Sequence, residues 1–330
     1  MRAIGSVIAT PHGTAPVAQS ALAHLTQGRE WAGFRTARGA LAALLRHRGR
    51  RRVWLPAYLC DVLAEAARGC EMAWYGVDQG LNIDIASLLL ESGDAVVVID
   101  YFGRSPSPEL YELAHGRPDV LWIEDRAQAL APDGPAFGEV GLHSPRKLFG
   151  VGDGGLLVGP DLPAPTLHKP DDSLWRANDL RAADPDGDNP APWFAAFKAR
   201  EAAFDAAPHA IDPRTVETLA VVDVVGEIAA RRANWQVLAA ELADIALWPD
   251  ASVAFAPLAF PVVVDDAGAL SVHMAAERIW CARHWADLPS PDGFADAHAL
   301  SGRCLSLPLD GRYGTDDMER IIAAVRTYPR

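Results

Sequence analysis

Short apolar runs recur along the first half of the chain, each closed by a turn residue. The stretch DAVVVIDYFG (94–103) is apolar almost throughout, the pattern of a strand covered on both faces. RVWLPAY (52–58, stopped by Pro56), EMAWYGVD (71–78), DVLWIEDRAQA (119–129) and GGLLVG (154–159) read as strands too. Between them lie segments rich in helix formers. TARGALAALLRHR (36–48) predicts a helix capped by Thr36, DVLAEAARG (61–69) one capped by Asp61, and PSPELYELAHG (106–116) a third. Strands alternating with helices predict an α/β domain with a mostly parallel sheet. Ligands bind such sheets beyond the carboxyl ends of the strands, which here carry residues 58–61, 100–103 and 125–128.

The pattern then changes. Residues 160–192 are rich in Pro, Asp and Ala and predict a long irregular excursion. A helix is expected over 193–207. One long helix is expected over 216–245, broken near Gly226. Beyond 246, short strands (AFAPLAFPVVV) and helices (GALSVHMAAERIW, DDMERIIAAVRTY) predict a smaller α+β unit. The division expected is 1–215 for the large domain and 216–330 for the long helix and small domain, in keeping with a length of 330 residues.

Composition narrows the function. Thirty Lys and Arg against 43 Asp and Glu give a net charge of −13, a poor match to nucleic acid or an anionic membrane. The one basic cluster, RHRGRRR (46–52), suits a helix C-terminus followed by a turn. Cys60, Cys70, Cys281 and Cys304 form no C-x-x-C pair and no zinc spacing, so they read as reduced thiols of a cytoplasmic protein that holds no metal. The apolar run at the N-terminus is broken by Thr10, Pro11 and Gly13, too early for a signal peptide, and no run is long enough to span a membrane.

The segment SPRKLFGVGDGGLLVG (144–159) poses the chemical question. Gly150, Gly152 and Gly155 match the glycine spacing of a dinucleotide-binding loop, which needs a helix after it. Here a strand pattern follows, so the loop presents Lys147 instead. Asp125 ends an apolar strand, where a lone carboxylate is costly without a positive partner. Lys147 and Asp125 make either a simple ion pair or the two groups that pyridoxal phosphate requires.

These residues sit in motifs that resemble the DegT/DnrJ/EryC1/StrS family of pyridoxal-phosphate-dependent, fold-type-I aminotransferases. The motifs are TARGALAALL, WLPAYLCDVL, WIEDRAQA, SPRKLFGVGDGG, RRANW, ARHWADLP and LSLPLDGRY, in the family's order over nearly the whole chain. The resemblance implies a large domain with a mostly parallel central sheet and a smaller C-terminal α+β domain. It implies that Lys147 forms the Schiff base, Asp125 pairs with the pyridine nitrogen, Ala127 presses on one ring face and Gln128 lies near the phenolic oxygen. The N–H groups of Ala37 and Arg38 would bind the phosphate, with Ser144 adding a hydroxyl. The AYLC loop would cover the other ring face, through Tyr58 and Cys60. Asp153-Gly154-Gly155 stands where Glu-Gly-Gly is commoner. His284 and Trp285 either contact substrate or pack; Arg312 and Tyr313 either bind a carboxylate or phosphate or make surface contacts. A homodimer with a shared active site is implied, as is transfer of an amino group from an amino acid, glutamate above all, to a keto group. The acceptor implied is a nucleotide-linked sugar in polysaccharide or natural-product biosynthesis. The alternatives are another pyridoxal-phosphate reaction, such as a lyase or racemase, or a non-catalytic relative.

Overall fold

The structure, a computed structural model, describes residues 2–11 and 17–329. Gly13 of the N-terminal run lies outside them. The chain begins with β1 (Ile4–Gly5), α1 (Ala21–Thr26), β2 (Trp31–Phe34), α2 (Ala37–His47), β3 (Arg52–Pro56), α3 (Asp61–Ala66) and β4 (Glu71–Tyr75). It continues with β5 (Ala95–Ile99), α4 (Pro108–Gly116), β6 (Leu121–Asp125), β7 (Val140–His143) and β8 (Gly155–Val158). Seven of these strands form one sheet in the order β2-β8-β7-β6-β5-β3-β4. β4, β3, β5, β6 and β7 are mutually parallel, and β8 is antiparallel to both β7 and β2. The expected α/β architecture with a mostly parallel sheet is therefore present. All five residues of β5 and of β6 are buried; β5 is an unbroken apolar run, whereas β6 ends in the buried carboxylates Glu124 and Asp125.

Local differences have local causes. Asp61 does not cap α3: Cys60 is the N-cap, and Asp61 is the first helical residue, where a carboxylate favours the helix dipole. Within the excursion, α5 (Arg176–Ala182) is helical because Ala177, Asn178 and Arg181 face inward. After α6 (Pro190–Ala203), the predicted long helix is two: α7 (Pro213–Leu219) and α8 (Val224–Leu242). The break falls before Gly226, because the Asp223 carboxylate accepts from the N–H groups of Val225 and Gly226 and starts α8 there.

The C-terminal part holds β9 (Phe260–Val263), α9 (Ala267–Ala276), β10 (Ile279–Trp280), α10 (Ala295–Arg303), β11 (Cys304–Leu307) and α11 (Thr315–Thr327). β9 and β11 pair antiparallel, while β10 pairs in parallel with β1, joining the chain's first residues to this part. The basic cluster at 46–52 is paired with acids: His47 and Arg48 with Asp161, Arg48 also with Glu139, Arg52 with Asp94. All four cysteines are free. No helix among the described residues is long and apolar enough to cross a membrane.

Candidate active site

A cleft of about 500 Å³, counting its open mouth, lies beyond the carboxyl ends of the parallel strands. β6 delivers Asp125, and the turn after it delivers Ala127 and Gln128. The turn after β7 delivers Ser144, Arg146 and Lys147, and the start of α2 delivers Thr36, Ala37 and Arg38. Cys60, Val62, Leu63, Ile99 and Trp285 complete the walls.

Lys147 owes its position to a single tight turn. Its N–H donates to the Ser144 carbonyl at 3.0 Å, that of Phe149 donates to the Pro145 carbonyl at 2.8 Å, and Leu148, Phe149 and Val151 are buried anchors. The glycines beyond serve packing. Gly154 has φ +129°, open to glycine at little cost, and a Cβ on Gly155 would sit 2.3 Å from the Thr36 carbonyl carbon. β8 can start against the N-terminus of α2 only because both are glycine, and no helix follows them.

Asp125 is 3 % exposed, and its Oδ1 accepts from the Ala127 N–H at 2.9 Å. Burial raises its pKa above the ordinary carboxylate value; the charge of Lys147 and the Ala127 N–H oppose that rise. Gln128 is fixed by its Oε1, which accepts from the Phe102 N–H at 2.8 Å. Its Nε2 is buried with no partner among the described residues, a spare donor in the cleft wall. Thr36 caps α2, its Oγ1 accepting from the Gly39 N–H at 3.0 Å and donating to the Asp205 carbonyl at 3.2 Å. Burial pushes the Cys60 thiol pKa up, against the pull of the Lys147 charge.

Of the expected site residues, Ala37, Arg38, Cys60, Asp125, Ala127, Gln128, Ser144, Lys147 and Trp285 line this one cleft. Four do not. Tyr58 is fully buried behind it, hydrogen-bonded through its hydroxyl to the His284 carbonyl, with its ring 5.6 Å from that of Trp285. It supports Trp285 rather than facing the cleft. His284 turns its Nδ1 to the Ser306 hydroxyl at 2.8 Å and its ring edge-on to Phe102; burial, aided by the Lys147 charge, pushes its pKa down to about 3, so it is neutral. Arg312 and Tyr313 are structural. The Arg312 guanidinium grips Asp310 and the Val7 carbonyl, and the Tyr313 hydroxyl accepts from the Gly5 N–H at 2.7 Å. Arg146, Ile99, Val62 and Leu63 line the cleft without having been singled out in the sequence. A basic residue next to Lys147 was the only signal for Arg146.

No protein-family model and no curated protein matches the chain. Solved structures do. A DegT DnrJ EryC1 StrS aminotransferase from Brucella abortus is 19% identical, with a TM-score of 0.64 over 94% of this chain and 90% of that one. The aminotransferase TlmJ from Streptoalloteichus hindustanus is 20% identical, with a TM-score of 0.63 over 90% and 84%. DesV from S. venezuelae, in complex with a ketimine intermediate, is 18% identical, with a TM-score of 0.66 over 93% and 87%. The chain thus has the fold of these enzymes, the fold-type-I transferase architecture.

Proposed function

We propose that the protein is a pyridoxal-phosphate-dependent aminotransferase. It takes an amino group from an amino acid, glutamate in the first instance, and passes it to a keto carbon, with a nucleotide-linked sugar as the acceptor class. One observation carries this reading: a buried carboxylate and a primary amine, Asp125 and Lys147, line one cleft with a helix N-terminus at its rim.

The residues present fit the cofactor. Gln128 Nε2, buried and unpaired, supplies a donor for the phenolic oxygen. The start of α2 offers the Ala37 and Arg38 N–H groups to a phosphate, with the Thr36 and Ser144 hydroxyls beside them. Ala127 on one side, and Cys60 and Trp285 among the remaining walls, supply surfaces for a flat ring. When bound, pyridoxal phosphate supplies an electron sink for the bonds at a substrate's α-carbon. Asp125, whose ionised form burial disfavours, would regain it beside a positively charged ring nitrogen and would so keep that nitrogen protonated. With the cofactor bound, Lys147 Nζ would be the amine that bonds its carbonyl carbon with loss of water and, once freed by a substrate amine, the base placed to take the proton from the α-carbon. The bound PMP in the similar structure of NtdA from Bacillus subtilis (14% identical, TM-score 0.65) supports the choice of cofactor. A cytoplasmic homodimer sharing its active sites belongs to the same reading; four unpaired thiols favour a reducing compartment, and sedimentation velocity tests the dimer.

Borohydride reduction is the direct test. Holoprotein should show a visible absorption band, and reduction should fix the cofactor to the peptide carrying Lys147. Lys147→Ala should lose both. Adding glutamate without an acceptor should convert the band to that of the amine form. A label on another lysine, or a band that no amino acid alters, sinks the aminotransferase reading.

A further inference from the structure

We propose that Arg146 is a side-chain ligand for the cofactor's phosphate, held in reserve by Glu201. The inference rests on the reading above. The observations cluster where α6 ends against the start of α2. Arg146 lines the cleft one residue before Lys147, its Nη1 donates to Glu201 Oε1 at 2.8 Å, and its guanidinium lies 5.2 Å from the Phe204 ring centre. Its Nε is buried and has no hydrogen-bond partner among the described residues. Across the cradle, Arg38 Nη1 donates to Glu65 Oε2 and to the Phe204 carbonyl, both at 3.1 Å. The Thr36 hydroxyl donates to the neighbouring Asp205 carbonyl. Residues 201–205 therefore engage three donors that surround one anion-binding helix end.

The ion pair is built to be exchanged. The Arg146 side chain is 16% exposed and Glu201 27%. An ion pair in reach of water is weak and is screened by salt. A phosphate monoester carries up to two charges and offers a guanidinium a bidentate face. Glu201 does not lose its counter-charge when Arg146 turns away, because its Oε1 is also 3.7 Å from Arg200 Nε. Phosphate and Glu201 thus compete for one guanidinium whose unused Nε already lies inside the protein.

The test compares pyridoxal phosphate, pyridoxal and inorganic phosphate on the full chain freed of cofactor. Arg146→Gln should weaken pyridoxal phosphate by ~10- to 100-fold, the worth of a charge-assisted contact. It should leave pyridoxal, which has no phosphate, within about twofold. Glu201→Gln should tighten pyridoxal phosphate, because the competitor is gone. Inorganic phosphate should raise the melting temperature of the wild type more than that of Arg146→Gln. Unchanged pyridoxal phosphate affinity in Arg146→Gln, an equal loss for pyridoxal, or weaker binding in Glu201→Gln overturns the proposal; the last two would mark the pair as scaffold. If the wild type captures neither aldehyde, the aminotransferase reading has failed, and the response to inorganic phosphate alone then decides for or against Arg146.

Discussion

Two regions of this molecule set arginines against carboxylates, and they differ in what is left over. At the C-terminal knot, all three guanidinium nitrogens of Arg312 are taken, by Asp310 at 2.6 and 2.9 Å and by the Val7 carbonyl at 2.9 Å. The Asn234 amide there donates to the Leu309 and Tyr313 carbonyls. In the cleft, Gln128 Nε2 and Arg146 Nε have no partner among the described residues. A buried donor without an acceptor costs stability and is rare unless something else meets it. The Arg312 guanidinium is thus saturated, whereas the cleft wall holds two donors that open space leaves within reach of a ligand; buried unpaired donors also occur elsewhere, at Arg181 and Arg200 among them, so the open space beside them is what sets the cleft apart.

Asp125 gives the sharpest contrast. On the proposed function its carboxylate meets a partner that the chain does not itself supply, so its removal should hurt turnover and spare the fold. Asp125→Ala should lower kcat by about a thousandfold, or ~4 kcal/mol of transition-state stabilisation. The melting temperature should stay level or rise, since a buried carboxylate disfavoured in its charged form is gone. A variant that unfolds without losing specific activity would place Asp125 with the knot.

Asp153 follows, a saturated carboxylate next to the cleft. It is fully buried and accepts from the Asp212 N–H at 2.9 Å and the Thr215 hydroxyl at 2.5 Å. Burial raises its pKa from 3.8 to about 6. The folded protein then holds this proton more tightly than the unfolded chain. The added stability is complete below the unfolded value and is lost as pH rises toward 6. Two pKa units correspond to ~3 kcal/mol. Asp153→Asn should flatten that part of the curve of unfolding free energy against pH, while cofactor affinity at neutral pH changes little. An unchanged slope would mean that Asp153 titrates as an exposed acid does.

This contrast also explains what the sequence disclosed. Asp125 and Lys147 stood out because each is a charge at the end of an apolar strand or beside a glycine turn, signals carried within a few residues. The sheet was legible for the same reason, each buried strand being its own apolar run. Arg146 was not legible as part of the cleft, because its partners Glu201 and Phe204 lie more than fifty residues away and α6 shows no periodicity that aims them. For Arg312 and Tyr313 the sequence leaves two readings open, and an Arg-Tyr pair in a loop has the same composition in both; the geometry matches the one in which they make protein contacts. Tyr58 was over-read, since residue order in the AYLC loop does not say which side chain faces the cleft. The break between α7 and α8 was placed at Gly226 on propensity, whereas the Asp223 cap decides it.

Arg312→Met tests the knot itself and carries the smallest expected effect. The methionine keeps much of the side chain's bulk and removes its donors, leaving Asp310 and the Val7 carbonyl without their shared partner. The cost should be about 2 kcal/mol, the usual worth of hydrogen bonds to a charged group. Chemical denaturation measures this as a lower midpoint at unchanged slope. Titration of pyridoxal phosphate, and of any acceptor that carries an anionic group, should give wild-type affinities. Here the assay cuts both ways. If Arg312→Met kept its stability and lost affinity for an anionic substrate, a saturated guanidinium would have proved able to leave its partners for a ligand. A full set of hydrogen bonds would then not keep an arginine of this protein from binding a ligand, and the free Arg146 Nε would no longer set that residue apart.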